Sequence, residues 1–123
     1  MNITASENDG KTIFVFGSNL AGRHGAGAAY TARMDWGAEI GVGLGRTGMA
    51  YAIPTKNTRL KPLPLPAIKG FVLQFIDYTR THPELRFLMT RIGCGLAGYK
   101  NHEIAPFFIT SPTNVILPVE WDF

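Results

Sequence analysis

Thr90-Arg91-Ile92-Gly93-Cys94-Gly95-Leu96-Ala97-Gly98 follows directly on the apolar run Phe87-Leu88-Met89. It leads through Tyr99-Lys100-Asn101-His102-Glu103 into a second apolar segment. This order of residues predicts a buried strand feeding a glycine-rich loop that opens a helix. Glycines in such a loop let the backbone turn sharply and bring N–H groups close to a ligand. A helix N-terminus behind them favours negative charge, which makes a phosphate the expected guest.

The same unit recurs near the start of the chain. Thr12-Ile13-Phe14-Val15-Phe16 has the composition and length of a strand. It runs into Gly17-Ser18-Asn19-Leu20-Ala21-Gly22-Arg23-His24-Gly25-Ala26-Gly27, and a small-residue helix is expected from Ala28 to about Trp36. Two glycine loops at the ends of two buried strands together predict a nucleotide or diphosphate ligand.

Between the two units, Met49-Ala50-Tyr51-Ala52-Ile53 reads as a buried strand stopped by Pro54. Lys56 to Pro66 reads as an irregular connection kept extended by Pro62, Pro64 and Pro66. Ile68, Phe71, Val72, Phe75, Ile76 and Thr79 then fall on one helical face. Pro66 suits the first turn of that helix, and Pro83 marks its end. A short helix is expected over His102–Ile109 and a last strand over Asn114–Leu117. Strands that are apolar throughout and alternate with helices predict an α/β fold, a parallel or mixed sheet covered on both faces. Ligands of such folds bind beyond the carboxyl ends of the strands. Both glycine loops and Lys56 fall there.

The 123 residues suit one domain, with a loose polar leader over 1–11 and an aromatic tail over 118–123. An apolar content of 46% with only 17% charged residues excludes a disordered chain. The net charge of +3 suits an anionic ligand and falls short of a nucleic-acid-binding stripe, so nucleic acid is not an expected partner. One cysteine, Cys94, excludes an internal disulfide and agrees with a reducing compartment. No apolar run approaches the ~20 residues needed to span a bilayer. Residues 1–11 lack the apolar core of a signal peptide. The cytoplasm is the expected location.

Two GxGxxG spacings occur. Gly43-x-Gly45-x-x-Gly48 precedes a strand instead of opening a helix, and reads as a surface loop or a flap over a ligand. Gly93-x-Gly95-x-x-Gly98 has the strand before it, and Glu120 lies about 20 residues on, where a dinucleotide fold places its ribose-binding acid. The chain has no room beyond Glu120 for the rest of such a sheet, so an NAD oxidoreductase is not expected. Lys56 is either a solvated lysine or an amine facing phosphate or sugar. Ser18 and Asn19 either hydrogen-bond a ribose or close an Asx-type turn. Cys94 is read as packing in a tight turn, although a helix N-terminus could lower its pKa. His24 and His102 are read as outer or solvent residues, and His82 as a helix cap. Trp36 and Tyr99 are read as core, with stacking on a base as the alternative. No metal-ligand spacing is present, and neither a metal nor a cofactor is expected.

Three segments in this order resemble the macrodomains, most closely the terminal ADP-ribose protein glycohydrolase subclass and its small bacterial and phage relatives. They are Gly25-Ala26-Gly27-Ala28-Ala29, Tyr51-Ala52-Ile53-Pro54-Thr55-Lys56 and Arg91-Ile92-Gly93-Cys94-Gly95-Leu96. The resemblance covers residues 12 to about 117. It implies a three-layer α/β/α sandwich with a mixed, mostly parallel sheet and a cleft for ADP-ribose. It also implies that loops Gly17–Gly27 and Arg91–Gly98 embrace the diphosphate. The ligand set is then Gly17, Ser18, Asn19, Gly25, Ala26, Gly27, Thr55, Ile92, Gly93, Cys94, Gly95, Leu96, Ala97 and Gly98. In the subclass a lysine at the position of Lys56 attacks the distal ribose, and a carboxylate directly after the Gly-Cys-Gly-Leu run resolves the adduct. Ala97 occupies that second position here. Ala29 stands where other hydrolytic macrodomains carry an aspartate, and the strand that carries an adenine-binding aspartate is missing or shortened. The leading expectation is therefore a binder of ADP-ribose or a related NAD-derived nucleotide. The alternatives are an ADP-ribosyl glycohydrolase using Lys56 and, through the Lys56–Lys61 segment with Arg59, a module for a protein or RNA partner.

Overall fold

The computed structural model describes residues 10–121, so the expected leader and tail lie partly outside the described residues. One sheet is built from β1 (Thr12–Asn19), β2 (Gly45–Thr47), β3 (Ala50–Lys56), β4 (Arg86–Met89) and β5 (Val115–Ile116). The strands lie in the order β2-β3-β1-β4-β5. β1 is parallel to β3 and β4, β4 is parallel to β5, and β2 runs antiparallel to β3. Helices are α1 (Gly27–Asp35), α2 (Leu65–Arg80) and α3 (Asn101–Ile104), the last continued by a 3-10 turn over Ala105–Phe108.

Alternation along the strands builds three layers. Phe14 and Phe16 of β1 and Ala50 and Ala52 of β3 face Ala29 and Ala32 of α1, with Trp36 stacked on Phe14 at 5.2 Å. The small residues on both sides let α1 lie close to the sheet. Ile13, Val15, Tyr51 and Ile53 point the other way, onto Ile68, Val72, Phe75 and Ile76 of α2 and onto Ile104 and Phe108. Burying one such side chain stabilises the fold by roughly 1.5–3 kcal/mol. Phe75 sits at the centre, with ring edges against Tyr51 at 5.0 Å and Phe87 at 5.5 Å. Trp121 stacks on Phe108, so the described part of the tail does pack on the body.

Several boundaries differ from expectation. β1 continues three residues past Phe16, because Gly17 and Ser18 keep their register with β3 and Asn19 pairs with Lys56 after a one-residue shift. Gly17, Ser18 and Asn19 are therefore strand residues, and the first loop begins at Leu20. β3 does not stop at Pro54. The pairing with β2 ends at Ala52, so the missing N–H of Pro54 falls past the end of that ladder. The glycine run after α1 keeps Gly41, Leu44 and Gly48 at the surface, but it is anchored to the first loop and borders no part of the cavity as a flap would. Gly45 opens β2, and Gly43 is buried, its carbonyl accepting from Ser18 Oγ. A Cβ on Gly43 would overlap the Asn19 carbonyl oxygen. Gly41 N–H donates to the Gly22 carbonyl at 2.9 Å. The segment thus forms a wall behind the first loop.

The helix expected over His102–Ile109 is one α-turn and a 3-10 turn. Pro106 has no N–H with which to continue the α-helical ladder. His82 does cap α2, with Nδ1 2.9 Å from the Tyr78 carbonyl. No helix among the described residues is long and apolar enough to cross a membrane.

Burial, with Tyr78 beside it, pushes the Tyr51 phenol up from 10.0 to about 12. The folded state therefore prefers the neutral phenol. This contribution to stability is complete below the unfolded value and is lost as pH rises from about 10 through about 12. In alkaline melts Tyr51→Phe should lose less stability than wild type across that window. Parallel pH profiles for the two proteins would remove Tyr51 as the cause.

Candidate functional site

The carboxyl ends of β1, β3 and β4 lie side by side, because all three strands are parallel. The segments that leave them, Leu20–Ala26, Asn57–Pro64 and Thr90–Lys100, enclose a cavity of about 670 Å³. Small-ligand pockets span about 300–1,000 Å³. Of the residues expected to bind ligand, the cavity brings together Gly17, Ser18, Asn19, Gly25, Ala26, Gly27, Thr55, Ile92, Gly93, Cys94, Gly95, Leu96 and Ala97, with Lys56 beside them. Gly98 is not on the wall. Its N–H closes a turn onto the Gly95 carbonyl at 3.0 Å.

The first loop is fastened from below. Asn19 Oδ1 accepts from the Arg23 amide at 3.0 Å, and Asn19 Nδ2 donates to the Arg23 carbonyl at 2.8 Å. Of the two readings of Asn19, its side chain takes the turn-closing one. Thr55 Oγ1 donates to the Ser18 carbonyl at 3.2 Å, tying β3 to β1 under the cavity floor. Of the two readings of His24, the solvent one fails, and it lies as an outer residue behind the cavity wall. It is buried edge-on to Phe16, with Nε2 donating to the Val42 carbonyl at 3.1 Å. Nothing in the sequence around His24 signalled this, since its acceptor comes from the glycine wall.

α1 starts at the mouth of the first loop, and Gly27, Ala28 and Ala29 of its first turn line the cavity. The N-cap is Ala26, which supplies no side-chain cap, and the first turn carries no acid. Its leading N–H groups therefore lack the partner that a Ser or Asp would give. The second loop supplies donors differently. Its own turns use the amides of Ile92, Cys94, Gly98 and Tyr99. The amides of Gly93, Gly95, Leu96 and Ala97 make no hydrogen bond among the described residues. The helix expected directly behind this loop is set off by Tyr99 and Lys100 and is a single turn, so α1 is the helix whose end faces the cavity. Gly93 has φ of +72° and packs on Ile104, so it shapes the loop. A Cβ on Gly95 would meet nothing within 4 Å.

Three cations border the cavity: Arg23, Lys56 and Arg91. None of them is in an ion pair among the described residues. Arg91 Nε donates to Asn101 Oδ1 at 3.0 Å, and that oxygen also accepts from Trp121 Nε1 at 3.1 Å. Arg23, Ala28, Ala29, Leu60, Thr90 and Arg91 also line the cavity and stood outside the expected ligand set. Arg91 and Arg23 stood inside the two glycine loops, and their charge was the available signal. No Asp, Glu or His borders the cavity among the described residues. Glu103 is occupied in accepting from the Lys100 amide at 2.9 Å. Burial pushes the Cys94 thiol up, against the opposing pull of Arg91. Trp36 is core, and Tyr99 donates its hydroxyl to the Leu63 carbonyl, so neither stacks over the cavity. Among the described residues no group of His, Cys, Asp and Glu could hold a metal.

Comparison with protein-family models, with curated proteins and with solved structures gave no match to the chain. Its class is therefore defined by its own architecture, an α/β sandwich with a donor-rich cavity at the carboxyl ends of its parallel strands.

Proposed function

We propose that the chain is a macrodomain-type binder of ADP-ribose or a related NAD-derived nucleotide diphosphate. One observation carries this reading. Three cations without ion-pair partners, the uncapped start of α1 and four unbonded amides converge on one cavity, and no described residue on its wall is a carboxylate. A diphosphate offers the matching charge and acceptor oxygens. Hydrogen bonds to an ionised acceptor are about twice as strong as neutral ones. All three segments that carry the macrodomain resemblance reach this cavity, through Gly25–Ala29, Thr55–Lys56 and Arg91–Leu96.

The position of Lys56 on the cavity wall favours a second reading, glycohydrolysis with this amine as nucleophile. Attack requires a neutral amine, and the departing group requires a proton donor. A donor of that kind contributes about 10²–10⁴-fold. Ala97 holds the place of the subclass carboxylate, and no described Asp, Glu or His borders the cavity. Binding with little or no turnover is the expected result.

In an assay on ADP-ribosylated protein, wild type should release almost no ADP-ribose. Lys56→Ala should weaken ADP-ribose binding about tenfold, the loss of one charged hydrogen bond. Rapid release by wild type that disappears in Lys56→Ala would establish the hydrolase reading instead.

A further inference from the structure

We propose that this site reads the diphosphate and leaves the nucleobase unread, so that it accepts nucleoside-diphosphate sugars as a class. The inference rests on the reading of the cavity as a nucleotide-diphosphate site. Reading a base edge takes a matched donor and acceptor, as when an Asn amide bonds adenine at two atoms. Asn19 is the only Asn or Gln on the described wall, and both ends of its amide are bonded to the Arg23 backbone. Ser18 and Thr55 are buried, their hydroxyls donated to the Gly43 and Ser18 carbonyls. Thr90 is half-buried and donates to the Val15 carbonyl at 2.7 Å. The remaining hydrogen-bonding side chains are cationic, apart from the Cys94 thiol, and the loop offers backbone N–H groups. These donors suit phosphate oxygens, and no side chain on the described wall offers a free donor–acceptor pair for a base.

What the rim offers a base is apolar area. Leu60 and Leu96 border the cavity and are 39% and 76% exposed. Leu60 has φ of +63°, a left-handed backbone that leucine rarely adopts. Asn57 imposes it. Asn57 Oδ1 accepts from the Arg59 and Lys61 amides at 2.9 and 3.1 Å, while the Asn57 carbonyl accepts from the Leu60 amide at 3.0 Å. Strain of this kind is found where the surroundings hold a side chain in a functional place. Here it holds a leucine on the cavity rim. Apolar contact with a ring face is open to any base.

The test is calorimetric titration of the full chain with ADP-ribose, inosine diphosphate ribose, guanosine diphosphate ribose and adenosine. Inosine replaces the adenine amine, a donor, with an acceptor oxygen. A site built to hydrogen-bond that amine rejects the analogue by up to about 10⁴–10⁵-fold. The three diphosphates should bind within about threefold of one another, and adenosine should not bind measurably. Leu96→Ser should weaken all three by the same factor. A preference for ADP-ribose of about tenfold or more over the inosine compound overturns the inference and leaves the proposed function standing. Failure of every diphosphate to bind overturns both, and adenosine binding as tightly as ADP-ribose overturns the inference.

Discussion

Valine in place of Gly43 should destabilise the domain by about 3 kcal/mol, the upper part of the range for overpacking. That is roughly a 10 °C fall in melting temperature for a domain of this size. The new Cβ would overlap the Asn19 carbonyl oxygen, and relief requires the end of β1 and the glycine wall to part. The Ser18 hydroxyl bond to the Gly43 carbonyl and the His24 bond to the Val42 carbonyl lie across the same seam. Gly70→Ala is the contrasting change. Gly70 is exposed inside α2 with nothing within 4 Å of a built Cβ. Alanine there should stabilise the domain by about 1 kcal/mol. Equal melting temperatures for Gly43→Val and wild type would show that the segment is not anchored to the end of β1.

Gly95→Val should leave the melting temperature nearly unchanged and lower ADP-ribose affinity at least about tenfold, or about 1.4 kcal/mol. The backbone at Gly95 is not left-handed, and a Cβ there touches no protein atom within 4 Å. The added side chain stands on the cavity wall beside amides that have no partner among the described residues. A valine therefore tests the ligand without testing the fold. Its neighbour Gly93 could not serve, because its φ of +72° and its packing on Ile104 make any substitution a fold mutation. A folded Gly95→Val protein that binds ADP-ribose normally would remove the second loop from the site.

The residues that sequence placed correctly are those whose signal is local. The 3.6-residue spacing of Ile68, Val72, Phe75 and Ile76 located α2, and the apolar run Phe87–Met89 located β4. Both glycine loops were legible because each follows a strand of one apolar composition. What was not legible depended on partners far along the chain. Gly17 and Pro54 look like strand breakers, yet their strands continue because β1 and β3 hold each other in register. β2 has three residues, too few for a pattern, and exists because β3 offers it an edge. His24 read as an outer or solvent residue, and the bond that accompanies its burial is to Val42, 18 positions away. Most of the expected site residues do border one cavity, but Ser18, Asn19 and Thr55 do so with side chains already bonded internally. Composition suggested an anionic ligand. The three cations that border the cavity come from three separate segments, and only the fold brings them together.

Whether the cavity binds a nucleotide diphosphate is decided by titration calorimetry of wild type with ADP-ribose. Binding should be saturable and one-to-one in the micromolar range, about −8 kcal/mol, with the heat strongly reduced in Gly95→Val. No heat of binding at millimolar ADP-ribose, or binding that Gly95→Val and Lys56→Ala both leave untouched, would contradict the diphosphate reading.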